Sequence, residues 1–299
     1  MLITDQSLNN MFTGFSALFN KGLGAAPSHW RKIAMEVPSQ TSEETYGWIG
    51  RFPQMREWLG SRIINNVAAN GFTIKNRKFE QTIAVPRDKI ADDQVGIFSP
   101  MFEHLGYDVS EHPDRLLFEL VASGFSQACS DGQFFFDTDH PVINKDGAEV
   151  SVSNMTAGSG PAWYLLDTTR SAKPFIYQTR EPYKLQSLDK DSDENVFFRD
   201  EYLYGVRGRS NAGYGFWQMA YGSKAPLTWA TYEAARKAMT SLRGDFGRPL
   251  GIVPNILLAP TELEGEARRV LKTDLGPNGE SNPWVDSAEL IVTPWLAAA

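Results

Sequence analysis

The stretch "ACSDGQFFFDTDHPV", residues 128–142, admits two readings that lead to different proteins. Asp137, Asp139 and His140 are close in sequence, and carboxylates beside an imidazole can bind a metal. The other reading is a buried, Phe-rich strand that ends in a turn. Strand geometry favours the turn. Successive side chains point to opposite faces, so Asp139 and His140 diverge. Pro141 then stops the strand, and Asp at such ends bonds its own backbone. A catalytic zinc, by contrast, usually takes three protein ligands, often from separate elements.

The residues in front predict a helix over 111–128. Leu116, Leu117, Leu120, Val121 and Phe125 share one face, while Arg115, Glu119 and Ser123 share another. Pro113 suits the first turn, with Glu111 and Asp114 complementing the dipole there. Such a rod is roughly 27 Å long. Further upstream, Leu8, Met11, Phe12, Phe15, Leu18 and Phe19 predict an amphipathic helix over 5–19. Asp5 or Ser7 can cap it, and Gly22 follows its end. Its stripe can close on its own core or on a neighbouring subunit.

Residues 45–85 read as a long hairpin leaving the body. Strand-like alternation appears at Phe72 and Ile74, then at Phe79, Ile83 and Val85, and Asn70-Gly71 is a turn signal. Lys75, Arg77 and Lys78 protect an exposed edge. Downstream, "PAWYLLD", "KPFIYQ", "ENVFFRD" and "YGFWQMAYG" make residues 161–222 β-rich, with 187–195 a charged surface loop. "GVRGRSNAGYG", 205–215, reads as a turn between strands, since strand-like residues follow it where a phosphate loop needs a helix. In the last quarter, Thr228 caps a helix that ends before Gly244, and Thr261 with Glu264 suggests a capping box. "GIVPNILLAP" is a buried strand whose Pro254 implies an edge or bulge. "AELIVTPWL" is the final strand.

Composition narrows the function. The chain has 299 residues, 42% hydrophobic and 22% charged, as in ordinary globular proteins. Its 12% aromatic content suits large buried surfaces within a fold or between subunits. A net charge of −7 gives no overall pull on nucleic acid. Cys129 is the only cysteine, so no internal disulfide or thiolate cluster can form, and it reads as a small buried residue of an intracellularly made chain. No apolar run approaches a membrane span, and the first residues do not read as a signal peptide. His29 and His104 have no carboxylate or cysteine at ligand spacing, and His112 reads as a residue near a helix start. The nucleophile elbow Gly-x-Ser-x-Gly is absent. Adjacent carboxylates such as Glu43-Glu44 and Asp92-Asp93 look like solvated charge.

The segments "APSHWRKIAMEVPSQTSEETYGWIGRFPQMREW", "DGQFFFDTDHPV", "WYLLDTTRSAKPFIYQTRE", "AGYGFWQMAYGS" and "GRPLGIVPNILLAPTELEGEARRVL" together resemble the major head subunit of phage Mu and Mu-like prophages. The likeness keeps its order along nearly the whole chain. It implies an α+β capsid protein of the Hong Kong 97 type. Residues 1–44 would be the N-terminal arm and 45–85 the extended loop over a neighbour. Residues 86–160 would form the peripheral domain with spine helix 111–128. Residues 161–222 would be a β segment, peripheral or axial, and 223–299 the axial domain. Trp48, Arg51, Phe52, Trp58 and Arg62 would be the loop's anchors, as aromatic and Arg side chains are in many interfaces.

The resemblance further implies self-assembly into hexamers and pentamers of an icosahedral head enclosing double-stranded DNA without sequence-specific binding. It implies a separate scaffold and maturation protease, a portal, and decoration proteins as an optional addition. Synthesis and assembly would take place in the bacterial host cytoplasm, and the destination is the virion capsid. No cofactor, catalytic residue or bound metal is expected. The Lys, Asn and Glu with which some members of the wider fold class cross-link have no matched positions. Two other readings remain: a metal-dependent enzyme using Asp137, Asp139 and His140, and a phage tail or accessory binding protein.

Overall fold

The computed structural model describes residues 3–47, 49, 71–190, 192–276 and 279–297. The apolar stripe near the start forms helix α1 (Asp5–Ala25), longer than its spacing predicts. The cap is Thr4 rather than Asp5 or Ser7. The Thr4 hydroxyl accepts from the Ser7 amide, and the Ser7 hydroxyl accepts from the Thr4 amide. Gly22 does not stop the helix. It lies buried in the last turns, pressed against a second long helix, α4 (Ser99–Ser123). A Cβ at Gly22 would sit 1.9 Å from the Glu103 carbonyl oxygen, and one at Gly106 would sit 2.0 Å from that of Phe19. The two glycines thus mark where the helix backbones touch. Of the two readings of the α1 stripe, the structure realises closure on the same chain.

Helix α4 replaces the rod expected over 111–128. It begins earlier because Phe102, Leu105 and Val109 extend the apolar stripe and Pro100 suits its first turn. Its 25 residues span about 38 Å. Pro113 therefore lies inside it, not at its start, and His112, Glu111 and Asp114 are mid-helix residues. Asp114 is buried, and its carboxylate caps the short helix α2 (Trp30–Ile33), accepting from the amides of Trp30 at 2.7 Å and His29 at 2.8 Å. α4 serves two cores. Phe102, Leu105 and Val109 pack with α1, while Leu116, Leu117, Phe118 and Val121 join a larger core around Trp163, Phe175 and Trp217.

The first sheet has the order β1-β9-β10-β4. Strand β1 (Ala34–Pro38) runs parallel to β9 (Phe175–Leu188), and β10 (Glu201–Tyr214) pairs antiparallel with both β9 and β4 (Arg77–Pro86). β9 and β10 have 14 residues each, an arm of roughly 45 Å. The glycine-rich run 205–215 is thus a strand and not a turn. Its glycines make room for neighbours: Cβ atoms at Gly208 and Gly213 would overlap the Tyr183 ring and the Ile74 side chain. "ENVFFRD" is also corrected, since it forms helix α5 (Glu194–Arg199) at the end of the β9–β10 hairpin. β9 runs to Leu188, which leaves a shorter loop than 187–195. Helix α3 (Arg87–Ala91) follows β4, which forms one edge of the sheet with Arg77 and Lys78 exposed on it.

Strands β2 (Glu43–Tyr46) and β3 (Phe72–Lys75) form an antiparallel stem in the register Tyr46↔Phe72. Trp48, Arg51, Phe52, Trp58, Arg62 and Asn70 lie outside the described residues.

The second sheet has the order β15-β14-β8-β11-β7. It is built from β7 (Met155–Thr156), β8 (Trp163–Leu166), β11 (Ala220–Ser223), β14 (Ile256–Pro260) and β15 (Glu289–Thr293). Pro254 precedes β14, which is why β14 can sit inside the sheet, between β15 and β8, and not at an edge. Residues 161–222 therefore supply strands to both sheets. Helices α6 (Trp229–Thr240) and α7 (Glu264–Lys272) pack on this sheet through Tyr232, Ala235 and Met239, and through Ala267, Val270 and Leu271. Thr228 caps α6 with Thr231 as its reciprocal partner. The capping box expected of Thr261 and Glu264 is absent, because a 3-10 turn, Thr261–Leu263, intervenes. Two small antiparallel pairs complete the chain: β5 (His140–Ile143) with β6 (Glu149–Val152), and β12 (Arg243–Gly244) with β13 (Arg248–Pro249). No helix among the described residues is long and apolar enough to cross a membrane.

His112 illustrates how far its setting is from a helix start. Its Nδ1 lies 3.0 Å from the Tyr183 hydroxyl, and its ring packs edge-on against Phe79. Burial, then the charges of Arg115 and Arg77, depress its pKa to about 4. The unfolded chain binds the proton more readily than the folded one. Stability should therefore fall as pH drops from the unfolded value near 6.5 towards 4, by up to roughly 3 kcal/mol. Urea unfolding across this range should show a flatter slope for His112→Gln; an unchanged slope would refute the assignment.

Candidate functional site

The structure separates His140 from the two carboxylates of the "DTDH" run. Asp137 completes a turn: its carboxylate accepts from the amides of Thr138 at 2.7 Å and Phe134 at 3.1 Å. Asp139 is exposed, and its pKa is raised by a hydrogen bond with Asp137, then by partial desolvation and by repulsion from the same carboxylate. His140 turns the other way and is fully buried. The sequence thus places Asp137 beside Asp139 but does not bring His140 to them.

His140 instead meets residues that sequence spacing did not single out. Its ring stacks on Trp217 with centroids 3.9 Å apart. Nε2 lies 3.2 Å from Asn154 Oδ1, and Nδ1 lies 2.7 Å from Asp131 Oδ2. Asn154 is itself fixed. Its Nδ2 donates to the carbonyls of Phe135, Trp217 and Ala220, and its Oδ1 accepts from the Asp137 amide. The buried Cys129 thiol donates to Asp131 Oδ1 at 3.0 Å. Burial, then the Asp131 charge, pushes that thiol's pKa up. For Asp131, burial opposes ionisation, but hydrogen bonds from His140 and Cys129 outweigh it and the pKa is lowered. Asp131 lies nine positions before His140 and Asn154 fourteen after it, across turns, so no periodic pattern could flag them. The network ties the turn after α4 to β5 and to the second sheet. Elsewhere, His104 does have a carboxylate neighbour, Asp108, at 3.6 Å on the exposed face of α4.

The surface carries a different signal. Phe197 and Phe198 on α5 are 81% and 72% exposed, and Leu188 beside them is 53% exposed. Three large apolar side chains at the end of a projecting hairpin are what a contact surface requires. A long helix shared by two cores, a two-stranded arm and the β2–β3 stem define a class: the α+β phage capsid subunit with the Hong Kong 97-type fold.

The chain belongs to the Mu-like prophage major head subunit family, whose model matches residues 8–296. It is 39% identical over 305 residues to the major capsid protein of Escherichia phage Mu, covering 99% of this chain and 100% of that one. It is 42% identical over 280 residues to the Mu-like prophage FluMu major head subunit of Haemophilus influenzae, covering 91% of each. Among solved structures, the procapsid of bacteriophage JBD30 superposes with a TM-score of 0.87 at 43% identity, over 98% of this chain and 100% of that chain. The JBD30 capsid gives 0.80 at 31% identity, over 99% and 100%. The family is structural, and the chain is a major capsid protein and not an enzyme.

Proposed function

We propose that this subunit assembles into hexamers and pentamers of an icosahedral head that encloses double-stranded DNA without reading its sequence. The observation that carries this reading is the end-to-end superposition on a shell subunit at a TM-score of 0.87. In this reading residues 1–44 are the N-terminal arm and 45–85 the extended loop. Residues 86–160 are the peripheral domain built on the spine helix, and 223–299 the axial domain. Residues 161–222 divide: β9 and β10 go with the peripheral domain, β8 and β11 with the axial one. A separate scaffold, a maturation protease and a portal act on the assembling shell in the host cytoplasm. A JBD30 capsid decorated with minor capsid protein trimers makes decoration a further expectation.

Electron microscopy of the chain co-expressed with its scaffold tests the proposal. Closed shells are expected; small rings or monomers alone would overturn the proposed assembly. Replacing both Phe197 and Phe198 by Ser should reduce shell yield severalfold. Subunit stability should stay within about 0.5 kcal/mol, because neither ring is buried in the isolated chain. Undiminished shells from the double variant would remove the hairpin end from the contact surface.

A further inference from the structure

We propose that Cys129, Asp131 and His140 form a structural site for a divalent transition metal, with Zn2+ as its best occupant. One ligand atom from each residue lies within 4.8 Å of the other two. Neither the shell-forming role nor the family likeness calls for this cluster.

The hydrogen bonds around the imidazole decide which nitrogen is available. Asn154 presents its carbonyl oxygen to Nε2, since its Nδ2 is committed to three backbone carbonyls. Nε2 must therefore carry a hydrogen. Nδ1 is left facing Asp131, with Cys129 on the carboxylate's other oxygen. A ring that donates from one nitrogen to a fixed oxygen and presents the other to anionic ligands has the arrangement of a metal-bound histidine.

Charge balance points the same way. A neutral imidazole, a carboxylate and a thiolate together carry two negative charges, which a divalent ion cancels, so the occupied buried site carries no net charge. Metal bonds of about 2.0 Å to N and O and 2.3 Å to S require the present 2.7 and 3.0 Å separations to open by roughly half an ångström. His140 is pinned by Asn154 and Trp217, but Asp131 sits in a turn whose Gly132 has φ +91°, outside any strand or helix. The adjustment falls there. The Ser130 hydroxyl, in the same turn, is buried and has no hydrogen-bond partner among the described residues. A thiolate with an imidazole and one carboxylate selects Zn2+ over Ca2+ or Mg2+, which prefer oxygen ligands throughout.

The test uses the full chain, stripped with a chelator and then titrated with ZnCl2 by calorimetry in two buffers of different ionisation enthalpy. One ion per subunit and release of the Cys129 thiol proton are expected. Co2+ in place of Zn2+ should give a thiolate-to-metal charge-transfer band in the near ultraviolet, absent in Cys129→Ser, and His140→Gln should weaken binding at least tenfold. No Zn2+ binding tighter than about 0.1 mM would overturn the proposal. So would a cobalt complex of the wild-type chain without the thiolate band. That spectrum needs no variant, so it decides the matter even if the substituted chains fail to fold.

Discussion

A subunit carrying Gly106→Leu is expected not to accumulate as folded protein. Helices α1 and α4 meet backbone to backbone at Gly22 and Gly106, and a Cβ at 106 would lie 2.0 Å from the Phe19 carbonyl oxygen and 3.0 Å from the Leu23 amide. These are main-chain atoms, so no rotamer change can relieve the overlap. The helices would have to part by more than an ångström, and the face they share is closed by Phe15 stacked on Phe102 at 3.8 Å, with Tyr204 edge-on to both. Opening it combines overpacking with lost burial, for a cost of more than about 3 kcal/mol. Gly14, on the exposed face of α1, has nothing within 4 Å of its would-be Cβ. Gly14→Ala should instead stabilise by up to about 1 kcal/mol. Thermal and urea melts of the two variants give the comparison, and a near-normal melt for Gly106→Leu would show that the helix contact is not the constraint described.

Deleting residues 50–70 and joining Ile49 to Gly71 through a short Gly-Ser linker is expected to leave a folded subunit that forms no shells. The stem register Tyr46↔Phe72 already holds the two ends side by side. The Tyr46 hydroxyl donates to Gln178 Oε1 at 2.7 Å, which anchors the stem to the first sheet. Closing so short a loop costs little entropy. The limits matter. Residues 72–75 form β3 and 77–86 form β4 on the sheet edge, so a deletion reaching position 80 would damage the body as well. The expected loss of assembly rests on the removal of Arg51, Phe52, Trp58 and Arg62, proposed as the loop's contacts with a neighbouring subunit. Circular dichroism checks the fold and electron microscopy the shells; normal heads from the deleted chain would refute the loop's role.

Much of this architecture is legible in the sequence where one physical demand governs a residue. The apolar stripes of α1 and α6, and the alternation in β3 and β4, answer only to burial on one face. The misreadings fall where two demands compete. Gly22 looks like a helix stop but is there for a close helix approach. Pro113 looks like a helix start, yet α4 tolerates it because both halves of that helix are packed. Gly205, Gly208 and Gly213 imitate a turn while they make space on a long strand. Phe197 and Phe198 imitate a buried strand, yet they lie on helix α5 with both rings exposed. The Asp131–His140–Asn154 network was invisible for another reason: its members come from a turn, a strand and a loop, and only the folded chain brings them together.

The sharing of α4 between two cores has a consequence for how the subunit comes apart. Neither hydrophobic interior keeps all its walls if the other is lost, since a single helix lines both. The shared helix should therefore couple the melting of the two cores, and a single calorimetric transition is the expected result, with two resolved transitions refuting it. On that expectation a half-opened subunit, with sticky apolar surface free to trap its neighbours, should be correspondingly rare.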